Sequence, residues 1–220
     1  MWPLSRYGGA MRPHPLFEVF VSAAHGRFPL ADGGVTFLPV HRTGIEAIVA
    51  FTGHAFVISE LGPDRFSDLT LDGFGLAQRP EAQLRIARGG RVGVVDATMV
   101  WLPEAATVGE VAQVIETDTH GDHPRVRHAM ALREGVRVFS GPDGVITLSS
   151  GLVGRQEMGV AAFEPGQGSG RRLIRAAQRL ADHRSPLFAA VSPGNARSFR
   201  AFQAEGFSVV GSEVVIEVDG

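Results

Sequence analysis

Apolar positions fall into short blocks whose spacing switches between strand-like and helix-like along the chain. The first 33 residues read as a peripheral arm with one helix from about Leu16 to Gly26, ended by Gly26 and Pro29. The run from Ile45 to Ser59 is rich in β-branched and aromatic residues and has Gly53 near its middle, which predicts a hairpin. Helical stretches are expected at 63–71 and 80–88. A strand is expected from Arg91 to Leu102, closed by Pro103.

The second half opens with a helix expected over Val108 to Thr117. The loop THGDHP follows, whose Asp122 and Pro124 read as the entrance to a helix reaching about Glu134. Val136 to Ser140 and Val145 to Val153 flank SGPDG, a turn sequence, and predict a second hairpin. Arg155 to Glu164 supplies a third strand. After the break GQGSG, Leu173, Ile174, Ala177, Leu180 and Ala181 recur at helical spacing, with arginine and glutamine opposite. Leu187 to Val191 is apolar throughout, as a strand covered on both faces should be. Pro193 and Gly194 then turn the chain into a last helix that Asn195 can cap. Gly206 stops that helix, and Phe207 folds back onto its final turn. Ser208 to Val218 is the final strand. The pattern therefore divides into an arm at 1–33, an α/β half at 34–104 and a second α/β unit at 105–220.

Composition narrows the chemistry. With 44% hydrophobic and 20% charged residues the chain can bury a core. No apolar run is long enough to span a membrane and no signal peptide is evident, so a cytoplasmic protein without a membrane partner is expected. Cysteine is absent, which removes disulfides, thiolate metal sites and an acyl-cysteine intermediate. Every basic residue other than histidine is arginine, and a net charge of −2 gives no electrostatic case for nucleic acid. His120, Asp122 and His123 could bind a metal, but they equally make an ordinary loop and helix entry, and no metal is expected.

The strand, glycine loop and helix over Met158 to Ala181 form an anion site by construction. The loop carries little side chain, the helix begins with free N–H groups, and Arg171 and Arg172 lie at its start. A tight glycine turn with two solvated arginines is the plainer alternative. A Walker loop requires a lysine that the chain lacks. A dinucleotide fingerprint requires GxGxxG, whereas Gly166, Gly168 and Gly170 give GxGxG.

The segment FEPGQGSGRRLIRAAQRL resembles the pyrophosphate loop and helix of the Gcn5-related N-acetyltransferase (GNAT) family. Downstream, PGNARSFRAFQAEGF is similar to that family's NxxSxxxxxxxGF motif. The resemblance covers about residues 135 to 218. It implies a GNAT-like α/β fold, a twisted mixed sheet flanked by helices, with acetyl-CoA bound where Arg155 to Glu164 and Leu187 to Val191 splay apart. It further implies that Ala161, Ala162 and Phe163 pair with the pantetheine arm, and that Gly166, Gln167, Gly168, Ser169, Gly170, Arg171 and Arg172 hold the pyrophosphate. Asn195 would contact the cofactor or serve simply as an N-cap, and Gly159 would mark a bulge.

The reaction implied is direct transfer of an acetyl group to the amine of a small molecule or protein. A backbone N–H near Phe163 would stabilise the oxyanion, and Glu157 would be the general base or would form a salt bridge with Arg155. Two positions depart from the family's pattern: Pro165 stands where a glutamine or arginine opens the pyrophosphate motif, and Phe202 where a tyrosine often protonates the leaving thiolate. Tyr7 is the sole tyrosine. The alternative function is therefore a GNAT-like module that binds acyl-CoA or a protein partner with weak turnover or none. Exposed sheet edges and the arm allow a homodimer.

Overall fold

The computed structural model describes residues 13–105 and 107–218. The fold is α/β. Eleven strands form one twisted mixed sheet in the order β1-β3-β2-β11-β5-β10-β9-β8-β7-β6, with β4 pairing to β11 beside β5. The first half supplies α1 (Pro15–Ala24), β1 (Val35–Leu38), β2 (Ile45–Phe51), β3 (His54–Ile58), α2 (Pro80–Ala87), β4 (Arg91–Val92) and β5 (Asp96–Trp101). The second supplies β6 (Ile115–Glu116), α3 (Pro124–Leu132), β7 (Glu134–Gly141), β8 (Gly144–Ser150), β9 (Gln156–Ala162), α4 (Ser169–Leu180), β10 (Leu187–Val191), α5 (Ala196–Ala204) and β11 (Ser208–Glu217). Tyr7 and the start of the arm lie outside the described residues.

The two halves share this sheet. β5 lies between β10 and β11 and runs antiparallel to both, so a strand from before residue 104 joins the two ends of the second half's sheet. Strand alternation sorts side chains to the two faces. Met99, Trp101, Met158, Ala189 and Val191 turn to the face covered by α4 and α5, where Leu173, Ile174, Ala177, Phe202 and Phe207 meet them. Val100 and Phe188 turn the other way, onto α1 through Leu16 and Phe20. On that second face α3 packs Val126 against Val138 and Val145.

Four local expectations are corrected. Residues 108–117 form no helix and are irregular apart from the edge strand β6, with the Ala112 N–H on the Arg172 carbonyl and the Thr117 N–H on the Val138 carbonyl. The 63–71 stretch yields a single 3₁₀ turn over Pro63–Phe66. The strand expected over 91–102 breaks at Gly93, whose missing side chain lets it lie against the Val215 carbonyl; a Cβ there would come within 2.6 Å of that oxygen. Finally α3 is capped by His123, whose Nδ1 accepts from the Arg125 N–H at 3.1 Å, and not by Asp122.

Candidate functional site

β9 and β10 are parallel neighbours, but the only register pair between them is Phe188 with Glu157. Beyond it β9 stays fully paired with β8 out to Ala162, while its other edge loses contact with β10. The Phe163 N–H donates to the Asp143 carbonyl at 3.1 Å, in register with β8. Peptide direction alternates along an antiparallel ladder, so Ala161 and Gly159 also turn to β8, whereas Val160 and Ala162 turn their peptide groups to the open edge. The Phe163 N–H, expected to face an oxyanion, is instead bound to Asp143. Of the three residues expected to pair with pantetheine, Ala162 has its peptide group on the open edge, while Ala161 and Phe163 face β8.

The parting of the strands opens a cavity of about 510 Å³ lined by Met158 to Ala161, Ala190 to Ser192, Asn195, Ser198 and Phe202, and closed by His123, Arg125 and His128 of the α3 region. Gly159 is not at a bulge, since the β8–β9 register runs without a shift. Its lack of a side chain has another cause: a Cβ would stand 2.9 Å from Thr147 Oγ1 and 3.0 Å from Arg125 Cδ. Asn195 lines the cavity and also caps α5, its Oδ1 accepting from the Ser198 N–H at 3.1 Å.

The glycine loop leads from β9 into α4. Gly166, Gln167 and Gly168 have φ of 109°, 44° and 78°, a left-handed run in which Gln167 is the strained member. Ser169 is buried as the first residue of α4 and its N–H bonds to the Gly166 carbonyl at 3.3 Å; Gly168 offers no side-chain cap, so the N–H groups of Gly170 and Arg171 are the ones left for an outside acceptor. Arg171 and Arg172 do not reach out as free cations. Arg171 Nε pairs with Glu205 at 2.5 Å. Arg172 is bidentate on Asp143 at 2.5 and 2.9 Å and donates to the Gln167 carbonyl at 2.8 Å. His120 and His123 surround the half-exposed ring of Phe163 at centroid distances of 6.0 and 6.3 Å. Among the described residues no group of three or more acidic or histidine side chains could hold a metal ion.

Glu157 is buried at the strand junction. Oε1 pairs with Arg133 at 2.6 Å, and Oε2 with Arg155 at 3.0 Å; Arg155 in turn holds Glu213 at 2.6 Å. Burial favours the neutral acid, but Arg133 and Arg155 outweigh it and hold the carboxyl below the usual carboxylate range. Arg155 is fully buried between the rings of Phe20 and Phe188, 4.5 and 5.2 Å from their centroids. The salt bridge with Arg155 is therefore present, and Glu157 is anchored on both oxygens.

A second cavity, of about 240 Å³, adjoins the first on the face that carries α1 and α3. Val94, Asp96, His128 and Ala190 line both. The second is walled by Ile45, Val92, Leu132, Leu152 and Val215 and floored by Asp96, Glu157 and Glu213. Asp96, at the start of β5, was not among the residues singled out in the sequence. Its carboxyl is pushed up to about 6, chiefly by burial and then by Glu213 and Glu157, against the pull of Arg125 and Arg133. The sequence offered no signal for it, because its neighbours come from β9, β11 and the α3 region.

No protein-family model and no curated protein matches the chain. Among solved structures it is similar to a GCN5-related N-acetyltransferase from Kribbella flavida, at 14% identity and TM-score 0.42, over 64% of this chain and 65% of that one. A putative acetyltransferase from the GNAT family of Novosphingobium aromaticivorans matches at 15% identity and TM-score 0.39, over 59% and 68% of the two chains. An acetyltransferase from the GNAT family of Colwellia psychrerythraea matches at 11% and 0.38, over 64% and 62%. The first and third matches thus span just under two thirds of those chains.

Proposed function

We propose that this chain is an acetyl-CoA-dependent N-acetyltransferase acting on an amine. The observation that carries the reading is the open edge of β9. Val160 and Ala162 turn their peptide groups to the edge that β10 leaves, and Val160 lines a cavity that begins at the Phe188–Glu157 junction and adjoins a second, acid-floored cavity. An extended amide chain such as pantetheine fits a free strand edge, because it can complete the hydrogen bonds that β10 does not make. The glycine loop and the first N–H groups of α4 would hold the pyrophosphate. Acetyl-CoA, when bound, supplies the activated acyl group.

The chain's own residues then do three things in this reading. Val160 and Ala162 orient the donor. Gly159, by having no side chain, keeps Thr147 and Arg125 in place behind it. Glu157, fixed by Arg133 and Arg155, shapes the junction between the cavities rather than exchanging protons freely.

A second reading, a module that binds acyl-CoA or a partner protein with little turnover, draws on two features. Arg171 and Arg172 are already paired with carboxylates, and Phe202 offers no proton to a leaving thiolate. Titration calorimetry with acetyl-CoA, beside Gly170→Glu, tests the donor site. A Cβ at Gly170 meets nothing within 4 Å, so the variant adds negative charge to the first turn of α4 without a clash. Micromolar binding that the variant loses is the expected result. Absence of binding to the unaltered chain at millimolar acetyl-CoA would overturn the enzyme reading and leave a module that acts through a partner protein.

A further inference from the structure

The second cavity is bordered by several carboxylates, and all but one have a guanidinium partner. Glu157 has Arg133 and Arg155, Glu213 has Arg155, and Glu217 has Arg91. Asp96 is the exception: the nearby arginines act on it at a distance, through charge alone. It is also one of four residues that border both cavities, and the only carboxylate among them. A carboxylate placed between the first cavity and a second one whose apolar wall, Ile45, Val92, Leu132, Leu152 and Val215, stands beside arginine-paired carboxylates matches a ligand with one cationic end and an apolar body.

We propose, on the acetyltransferase reading given above, that Asp96 binds the ammonium group of the acceptor and takes its proton, and that the acceptor is a small apolar monoamine seated in the second cavity. The acceptor must lose its ammonium proton before it can attack. That proton passes to the Asp96 carboxylate and leaves a neutral amine. The amine nitrogen forms the N–C bond with the acetyl carbonyl, the C–S bond breaks, and its electron pair departs on sulfur. The nitrogen's second proton goes to that sulfur, giving the free thiol, and Asp96 returns its own proton to water. No oxidant or further co-reactant is involved.

The charged groups around Asp96 are Glu213 on β11, Glu157 on β9, Arg91 on β4, Arg125 and His128 on α3, and Arg133 just after it. Of these, His128 is the rival base: it borders both cavities, and burial, then Arg133 and Arg125, hold its pKa below the usual imidazole value. Glu157 and Glu213 are already neutralised by arginines.

The experiment uses the full chain with acetyl-CoA and 2-phenylethylamine, following free thiol release from pH 5 to 9. Asp96→Asn, Asp96→Glu and His128→Gln are compared with the unaltered chain. For the unaltered chain, kcat/KM is expected to show a rising limb with its inflection near pH 6, the value that burial imposes on Asp96. Asp96→Asn is expected to lose that limb and about 100-fold or more in kcat/KM, the range of a general base. Asp96→Glu and His128→Gln should keep the limb. Calorimetric binding of 2-phenylethylamine without acetyl-CoA gives a readout independent of turnover: it should strengthen from pH 5 to 7.5 in the unaltered chain and not in Asp96→Asn.

If the limb survives in Asp96→Asn, or vanishes in His128→Gln instead, the assignment of Asp96 is overturned. If the unaltered chain binds acetyl-CoA but neither binds nor acetylates 2-phenylethylamine, the acceptor class is overturned while the donor site stands. If it does not bind acetyl-CoA, the reading beneath both fails.

Discussion

Phe188 and Glu157 stand opposite each other at the last point where β10 and β9 touch. Phe188 helps enclose the guanidinium of Arg155, and that guanidinium holds Glu157. The position at which the sheet opens is thus bound to a buried ion-pair network.

Arg155→Leu should therefore destabilise the fold by about 3–5 kcal/mol, since it leaves buried Glu213 without a guanidinium partner and Glu157 with Arg133 alone. Urea denaturation measures this. A loss below about 1 kcal/mol, the range of an exposed ion pair, would show that Glu157 and Glu213 rehydrate when the arginine leaves.

Gly159→Val puts a side chain against Thr147 and Arg125. The expected cost is about 1–3 kcal/mol of stability from overpacking, with at least about tenfold weaker acetyl-CoA binding as β9 shifts. Thermal unfolding and calorimetry read the two effects separately. Unchanged affinity would mean that the donor does not lie along this edge.

Asp96 carries a pKa raised from the usual carboxylate value of 3.8 to about 6, so ionising it disfavours the folded state. The unfolded chain ionises first as pH rises. The penalty is absent below the unfolded value, develops between about pH 4 and 6, and is full above the folded pKa. Asp96→Asn should accordingly raise Tm at pH 8 and change it little at pH 4. A variant that gains stability as it loses turnover distinguishes a proton-handling carboxylate from a structural one. A lower Tm at pH 8 would indicate that Asp96 holds the fold together.

Phe202 lines the cavity beside β9, with its ring edge-on to Phe207 at 4.9 Å. Phe202→Tyr is expected to raise kcat by about tenfold or less below pH 8. Above the thiol pKa of about 8.5 the thiolate leaves unaided, and the gain should disappear. A pH-independent change would mean that the hydroxyl alters packing rather than donating a proton.

Much of the second half was legible as sequence, because its signals are local. Leu187 to Val191 is apolar because both faces are covered, and β10 spans those residues. Asn195 accepts from Ser198, and Phe207 folds back on Phe202, with its N–H on the Phe202 carbonyl at 3.1 Å. The helix expected over 108–117 failed for a non-local reason. Its backbone bonds instead to the carbonyls of Arg172 and Val138, partners that no window of that sequence contains.

The sequence by itself determined the β2–β3 hairpin, the strands β7 to β11, the glycine turn into α4 and the presence of a carboxylate at position 157, since each depends on residues within a few positions of one another. Tertiary structure alone decided what that carboxylate does and which acid is left unpaired. Arg133, Arg155, Glu157 and Glu213 meet from separate elements, and β5 arrives from the first half to set Asp96 between two cavities. Charge and burial depend on distance in space, and only the folded sheet fixes those distances.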